Sequence, residues 1–542
     1  MSFYQDNRFG SSKPATLAHW KSAGLLSGQG IGLTHDETKR HEARSPNDGG
    51  TAMFAGAGTG KSSSRYIPAI LGNQFGNGVI FCPRGEVSET TMLACSLDGY
   101  ECYYMNPAGM LDLPNHTTNI FDNQTVDNPA IIANSQKRSA DLCPIPPGGG
   151  KANWPAEDAQ DWLTQMQLLD ASINGVVSPK GVNDIFCSIQ GNLDEWEMYL
   201  RRGLDCPYPS VRRWGPQMMQ LQEEGREGFT APMGTLHTKL KFMQDERALN
   251  SISGNDFSLS WLFDPARKVR LFVVTPIEYM DVWGPMVRNI FGRVIQEKLQ
   301  NPSHQQVHIL IDECGQLGNF PSVVELYTFG RGAGLIPYCS WQEVAQIYAA
   351  FGVELAQAII GSARYRLFSG IATLQTAELV SQMGGDMTLD YDDTLQQSGA
   401  KRQRQELMLS AMKGNIGMME AAAGMRHLKV AETHQTKQPR RAITPDEVMN
   451  LPPGAAITFA TGMLPGYSLG YWLKYFERPE FAGRYLPNSY HDPNNVLIPR
   501  RFGGPKRVPM VTERVPASLA HLPQYADGYW KYIQGYRPNV GS

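Results

Sequence analysis

The sequence predicts an α/β fold with a mostly parallel sheet, interrupted by an all-α insertion. Three observations carry this. First, short apolar runs recur, each bounded by Gly, Pro, Asn or Asp: TAMFA (51–55), GVIFC (78–82), ECYYM (101–105), VRLFVVT (269–275), VHILID (307–312), LIPYCS (335–340), ARYRLFS (363–369) and AITFAT (456–461). Most are apolar throughout rather than alternating, as strands covered on both faces are. Second, helical patterns such as KSSSRYIPAILG and VWGPMVRNIFGRVIQEKLQ lie between several of them, and strands alternating with helices build parallel sheets. Third, from about Lys151 to Ser258 no strand pattern stands; AEDAQDWLTQMQLLDASI, LDEWEMYLRRGL and APMGTLHTKLKFMQDERALNSI read as helices.

Composition sets the bounds. A chain of 542 residues exceeds one compact unit. Its net charge of -3 excludes a globally basic nucleic-acid binder, so any such contact is local. Eight cysteines are scattered, none in C-x-x-C and none at zinc-ligand spacing with histidine, which fits a reduced, cytosolic compartment. No apolar run approaches the roughly 18–20 residues that a membrane helix needs. The start, MSFYQDNRFGSSKPATLAHWKSAG, lacks the apolar core of a signal peptide. The expectation is a soluble chain, or a peripheral one docked by partners.

The first strand run opens into FAGAGTGKSS (54–63). A phosphate-binding loop needs inward backbone N–H groups, glycines for the dihedrals, a lysine, and a hydroxyl for magnesium. The usual pattern is G-x-x-x-x-G-K-[ST]. Ala55 holds its first position, and Gly56, Ala57, Gly58, Thr59, Gly60, Lys61 and Ser62 follow in register. The helix that starts there adds the partial positive charge of its N-terminus. A plain Gly-rich turn is the alternative, and the strand–loop–helix context weighs against it.

Hydrolysis of a bound triphosphate also needs acid at a strand end. VHILIDE ends on Asp312, placed to hold Mg²⁺ through water, and Glu313, placed as general base on the attacking water. Arg331, on the turn FGRGAG, reads either as an arginine finger reaching a neighbouring subunit's γ-phosphate or as a surface arginine. Gln342, just past LIPYCS, reads either as a γ-phosphate sensor or as a polar helix start.

Two later segments stand apart. Residues 395–441 are polar, Met-rich and locally basic, with Lys401, Arg402, Arg404, Lys413, Arg426, Lys429, Lys437, Arg440 and Arg441 outnumbering Glu406, Glu420 and Glu432. Charge without regular aromatic interleaving suits backbone contact with nucleic acid; a solvated flexible loop is the other reading. Beyond Gly483 the chain is rich in Pro, Asn, Tyr and Arg and is expected to lie extended over the surface.

Taken in order, these motifs resemble the type IV secretion coupling proteins, the TraG-like conjugation ATPases, from about Gly24 to Arg484. The family's A-P-T-G-S-G-K is AGAGTGK here. Its D-P-K-G-E is similar to CPRGE, with Cys82 in place of Asp and Arg84 in place of Lys. Its D-E-F-x-x-L-G, R-G-x-G and Q-S-x-x-Q blocks match Asp312, Glu313, Leu317, Gly318, Arg331, Gly332, Gly334, Gln342 and Gln346, with Glu343 in place of Ser. TLQTAELVSQMGG and RAITPDEVMNLPPG match two further family blocks. The resemblance implies a RecA-like nucleotide-binding domain with an inserted all-α domain, ATP and Mg²⁺ as cofactors, and a homo-oligomer that becomes a hexameric ring on nucleotide and DNA. It implies DNA, relaxase proteins or secreted effectors, and secretion-channel components as partners. It favours the finger and sensor readings of Arg331 and Gln342.

The expected division is 1–150 for the lead-in and first part of the nucleotide-binding domain. Residues 151–262 form the all-α insertion, entered through PIPPGGG (144–150). Residues 263–483 form the second part, with 395–441 flexible, and 484–542 form the tail. Family members begin with transmembrane helices and none stands here: either they were removed, or this is a soluble member, which Met1 and the long polar lead-in favour; the expected location is cytoplasmic, or peripheral at the cytoplasmic face of the inner membrane. Two other functions fit the same motifs: a recruitment adaptor whose nucleotide is structural, and a DNA motor of the FtsK/HerA kind.

Overall fold

The computed structural model describes residues 9–540 apart from 147, 149, 192, 226, 304, 393, 414–416, 432–434, 465 and 501–503. Its strands up to the end of the helical insertion are β1 (Gly32–His35), β2 (Glu42–Arg44), β3 (Thr51–Ala55), β4 (Gly78–Phe81), β5 (Glu101–Met105), β6 (Thr118–Asn119) and β7 (Gly254–Asn255). The rest are β8 (Val269–Val273), β9 (Val307–Ile311), β10 (Leu335–Trp341), β11 (Tyr365–Ser369), β12 (Asp386–Asp392), β13 (Gln435–Arg441), β14 (Ala455–Ala460), β15 (Tyr467–Tyr471), β16 (Asn495–Ile498), β17 (Lys506–Arg514) and β18 (Tyr529–Ile533).

An 11-stranded sheet, ordered β2-β1-β15-β14-β11-β3-β10-β9-β4-β8-β5, organises the molecule. From β11 to β5 every neighbouring pair is parallel. The other flank, β14, β15, β1 and β2, is antiparallel. All the apolar runs read from the sequence lie in this sheet. β1, β2 and β15 escaped that reading because they are short and their residues mix polar and apolar.

The parallel strands are buried along both faces because helices cover each side. β3, at the centre, is buried at every position. The Phe54 ring stacks on Phe368 of β11 at 5.2 Å and on Trp341 of β10 at 5.7 Å between centroids. Between β6 and β7 the chain is mostly helical: Ile131–Leu142, Trp154–Asn174, Pro179–Gly191, Leu193–Leu204, Pro209–Glu224, Glu227–Lys239 and Glu246–Ser253. The long helical pattern expected over 231–252 is divided, and Asp245 restarts it as N-cap by accepting the Arg247 N–H at 3.0 Å. Of the expected linker, Pro147 and Gly149 lie outside the described residues.

Three expectations are corrected. Segment 395–441 is built rather than loose: helices Thr394–Met412 and Met418–Ala431 pack side by side, and β12 and β13 close the base as an antiparallel ladder from Asp386↔Arg441 to Asp392↔Gln435. Glu432 lies outside the described residues. Helix propensity of the Gln, Lys, Arg, Met and Ala residues, rather than burial, explains these helices. The tail is not merely extended. β16, β17 and β18 form an antiparallel sheet, and Leu486, Leu519, Leu522, Tyr525, Trp530 and Tyr532 bury a small core with Leu93 of helix Glu86–Leu97. Finally, among the described residues one helix, Val344–Ser362, is long and apolar enough to cross a membrane. It connects β10 to β11 and places Val344, Ile347, Phe351, Ala356, Ile359 and Ile360 in the core; its small residues raise its hydropathy between scattered polar ones.

Phe54→Ala removes a ring packed between two others in the fully buried central strand. The expected loss is about 3–5 kcal/mol of unfolding free energy, read as a lowered urea midpoint at an unchanged slope.

Candidate active site

Because β11, β3, β10, β9 and β4 run parallel, their C-terminal ends share one edge of the sheet. Chain segments leaving that edge converge there, as ligand sites in open α/β sheets do. After β3 the loop turns through Gly58 (φ 76°) and Gly60 (φ 81°), a left-handed conformation that favours glycine. Lys61 then enters a helix that is π-wound over Ser62–Tyr66 and α-helical over Ile67–Leu71. Pro68 supplies no N–H to the preceding turn, which favours this wider winding.

Lys61 is buried, and its ammonium donates to the Ala55 carbonyl at 3.1 Å and to Glu313 Oε1 at 2.7 Å. The Ser62 hydroxyl donates to Asp312 Oδ2 at 2.7 Å. Ser340 of β10 joins both acids: its hydroxyl donates to Asp312 Oδ1 at 3.2 Å and accepts the Glu313 N–H at 3.2 Å. Glu313 has φ 66°, rare for a residue with a side chain. Its contacts with Lys61, Ser340 and Gln342 hold it there, the last through a bond from Gln342 Nε2 to Oε2 at 3.1 Å. Burial pushes the Asp312 carboxyl up to about 6, against the pull of Lys61 and Ser62.

A cleft of about 290 Å³ opens over these groups, lined by the loop from Gly56 to Ser63 and by Cys82, Arg84, Glu86, Asp312, Glu313 and Gln342. The structure thus brings together Gly56, Ala57, Gly58, Thr59, Gly60, Lys61, Ser62, Asp312, Glu313 and Gln342. Arg331 is elsewhere. It precedes the N-terminal end of the seven-residue strand β10, on the opposite edge of the sheet, and lines a separate cavity with Gly49, Gly50 and Arg364. At about 3.3 Å per strand residue it stands on the order of 20 Å from its own chain's loop. Cys82, at the end of β4, is buried and accepts the Val87 N–H at 3.3 Å. Burial, with the negative charge of Glu86 and Asp312, pushes its thiol up to about 12, so this position is neutral. Sequence reading missed Lys474 and His491, which also line the cleft; neither sits in a motif.

Geometry and sequence agree with the comparisons. The family model described as type IV secretory system conjugative DNA transfer matches residues 33–413, well over half of the chain. The chain belongs to that family. Among curated relatives, the type IV secretion system-coupling protein VirD4 of Bartonella henselae is 25% identical over 191 residues, 34% of this chain and 28% of VirD4. The chain thus spans less than a third of that relative's length. Among solved structures, the bacterial conjugative coupling protein TrwBdeltaN70 with sulphate superposes with a TM-score of 0.60 at 16% identity, covering 87% of this chain and 95% of TrwBdeltaN70. Plasmid coupling protein TrwB in complex with ADP and Mg²⁺ gives 0.58 at 16% identity, covering 88% and 96%. At these identities the likeness shows the fold: a RecA-like domain with an all-α domain.

Gly370, after β11, has φ 58°, and a Cβ there would lie 2.2 Å from Thr59 Cγ2. Gly370→Ala is expected to cost about 1–3 kcal/mol through backbone strain and displacement of the loop. Gly462→Ala, also at positive φ (86°) but in open space, is expected to cost about 1 kcal/mol or less. Urea midpoints of the two variants check the difference.

Proposed function

We propose that the chain is an ATP-driven coupling protein that recruits a relaxase-bound DNA or a protein substrate to a type IV secretion channel and powers its transfer. The observation that supports this most is the meeting of Lys61, Ser62, Asp312, Glu313 and Gln342 at one sheet edge. A pure scaffold has no need of a carboxylate beside a phosphate loop. The ADP and Mg²⁺ bound by TrwB support ATP and Mg²⁺ as the ligands here. Ser62 and Asp312 offer the hard oxygens magnesium prefers, directly and through water. The bound ion would neutralise charge on the β- and γ-phosphates.

The chain's own groups then have these roles. The loop N–H groups and Lys61 hold the phosphates. Lys61 first leaves Glu313, which frees that carboxylate to take a proton from the attacking water. Gln342, bonded to Glu313, links the γ-phosphate to the position of the base. Arg331 stands too far from its own chain's loop to serve it, so a finger role falls to a neighbouring copy, as action in a ring, a hexamer in our reading, requires. The exposed Lys401 and Arg402 on the helical pair suit contact with a DNA backbone. The proposed location is the cytoplasmic face of the inner membrane, in contact with channel components.

The test is ATP turnover by the full chain with and without single-stranded or duplex DNA. DNA is expected to raise specific activity, with the stimulation falling steeply with salt. Lys61→Ala is expected to abolish turnover, and Glu313→Gln to keep ATP binding and lose hydrolysis by at least about a hundredfold. Near-normal turnover in Glu313→Gln would sink the base assignment; turnover indifferent to DNA at all salt concentrations would favour a recruitment adaptor.

Arg331→Ala is expected to lose hydrolysis while binding ATP almost as before. Mixed with Lys61→Ala subunits, it should regain part of the activity, because some interfaces then hold a complete site. Mixed assemblies with no recovery at any ratio would argue against action across the interface.

A further inference from the structure

A second cavity, of about 230 Å³, adjoins the phosphate cleft. Ser63, Lys474 and His491 line both. Apart from Ser63, its wall comes from residues beyond the stretch that the family model matches, the turn after β15 and the first part of the tail. Tyr475, Phe476 and Tyr485 form an aromatic side: the Tyr475 ring meets Phe476 at 5.2 Å and Tyr485 at 4.9 Å, both edge to face. Asn488 and Asn495 add carboxamides.

This wall is fixed in place. Asn488 Nδ2 donates to Glu86 Oε2 at 3.0 Å, the Ser489 N–H donates to Glu89 Oε2 at 3.0 Å, and Arg484 Nη2 bonds both Asp98 oxygens at 2.7 and 2.8 Å. Three points of attachment thus clamp the tail to helix Glu86–Leu97 and its C-cap. The Lys474 stem lies on the phosphate loop, its Cε 3.7 Å from where a Cβ on Gly60 would sit.

The polarity of the loop gives the cavity its meaning. Lys61 and Glu313 mark the end of the cleft where terminal phosphates and water react. Ser63, the second residue of the helix, lines both spaces, and the cavity begins there. We infer that this tail-built cavity receives the nucleoside of the bound triphosphate: the base against the Phe476 side of the aromatic wall, its polar edge toward the carboxamide oxygen of Asn495, whose Nδ2 is held by Asp492, and Lys474 beside the phosphate nearest the ribose. Flat rings and side-chain amides suit a base, which has a π-face and a hydrogen-bonding edge. This rests on the phosphate-loop reading above and adds what the tail does for that site.

The experiment compares ATP with inorganic tripolyphosphate, each with Mg²⁺, by calorimetry on the full chain. Wild-type protein is expected to bind ATP at least about tenfold more tightly than tripolyphosphate. Phe476, half-buried at the cavity, is replaced by Ala and by Leu; Phe476→Leu keeps apolar volume and the fold while removing the ring face. Both variants are expected to weaken ATP about tenfold and leave tripolyphosphate unchanged. If ATP binds no more tightly than tripolyphosphate, or if Phe476→Leu leaves ATP affinity intact, the nucleoside lies outside the cavity and this inference falls while the phosphate loop stands. If the wild-type chain binds neither ligand, the phosphate-loop reading falls and this one with it.

Discussion

The bond between Lys61 and Glu313, with that between Ser62 and Asp312 beside it, is the constraint around which the site is arranged. The two residues of the first pair are 252 positions apart in sequence. They meet because β3 and β9 both border β10 in parallel, in a register that pairs Trp341 with Phe54 and Cys339 with Ile311. A slip of one residue in either ladder would turn every side chain of that strand to the other face. Tyr66 reinforces the alignment from the helix, its hydroxyl donating to the Ile311 carbonyl at 2.9 Å. An ion pair as sheltered as this is costly to leave half-made. An incoming anion offers Lys61 a new partner and Gln342 remains beside Glu313, so neither charge is stranded during the exchange.

The central architecture was legible because its signals are strong and local. Short, near-continuous apolar runs bounded by turn residues read as strands covered on both faces, and the Gly-Lys-Ser order between strand and helix has a narrow set of uses. Asp312, Glu313 and Gln342 were legible for a related reason: each stands one or two residues past a strand, where parallel topology sends chain ends to the same edge. The left-handed backbone of Glu313 and the wide first turn of the helix were not legible, since they answer to contacts made across the sheet.

The less legible parts share a physical feature: their stability comes from distant partners. β17, KRVPMVTER, carries a proline and exposes much of its length, and it exists through its pairing with β16 and β18. The tail's hydrogen bonds run to a helix some four hundred residues earlier, so no window of local sequence reports them. The departure at Cys82 was visible, but its meaning required the surroundings. A carboxylate there would have added a fourth acid to Glu86, Asp312 and Glu313; the neutral thiol adds no charge to theirs.

The docking of the tail also bears on the time at which the protein matures. Asn488 and Glu86, which hold wall to helix, are 402 positions apart, and Gln524 reaches back 422 positions to accept the Cys102 N–H of β5. A ribosome adding about 5–20 residues each second needs on the order of 20–80 s to pass from one partner to the other. Until the tail is made, the Cys102 N–H of β5 and the carboxylates of Glu86 and Glu89 lack these partners. The wall of the pocket is therefore acquired long after the helix that receives it, and any ligand that prefers the closed wall selects for chains in which the two have met.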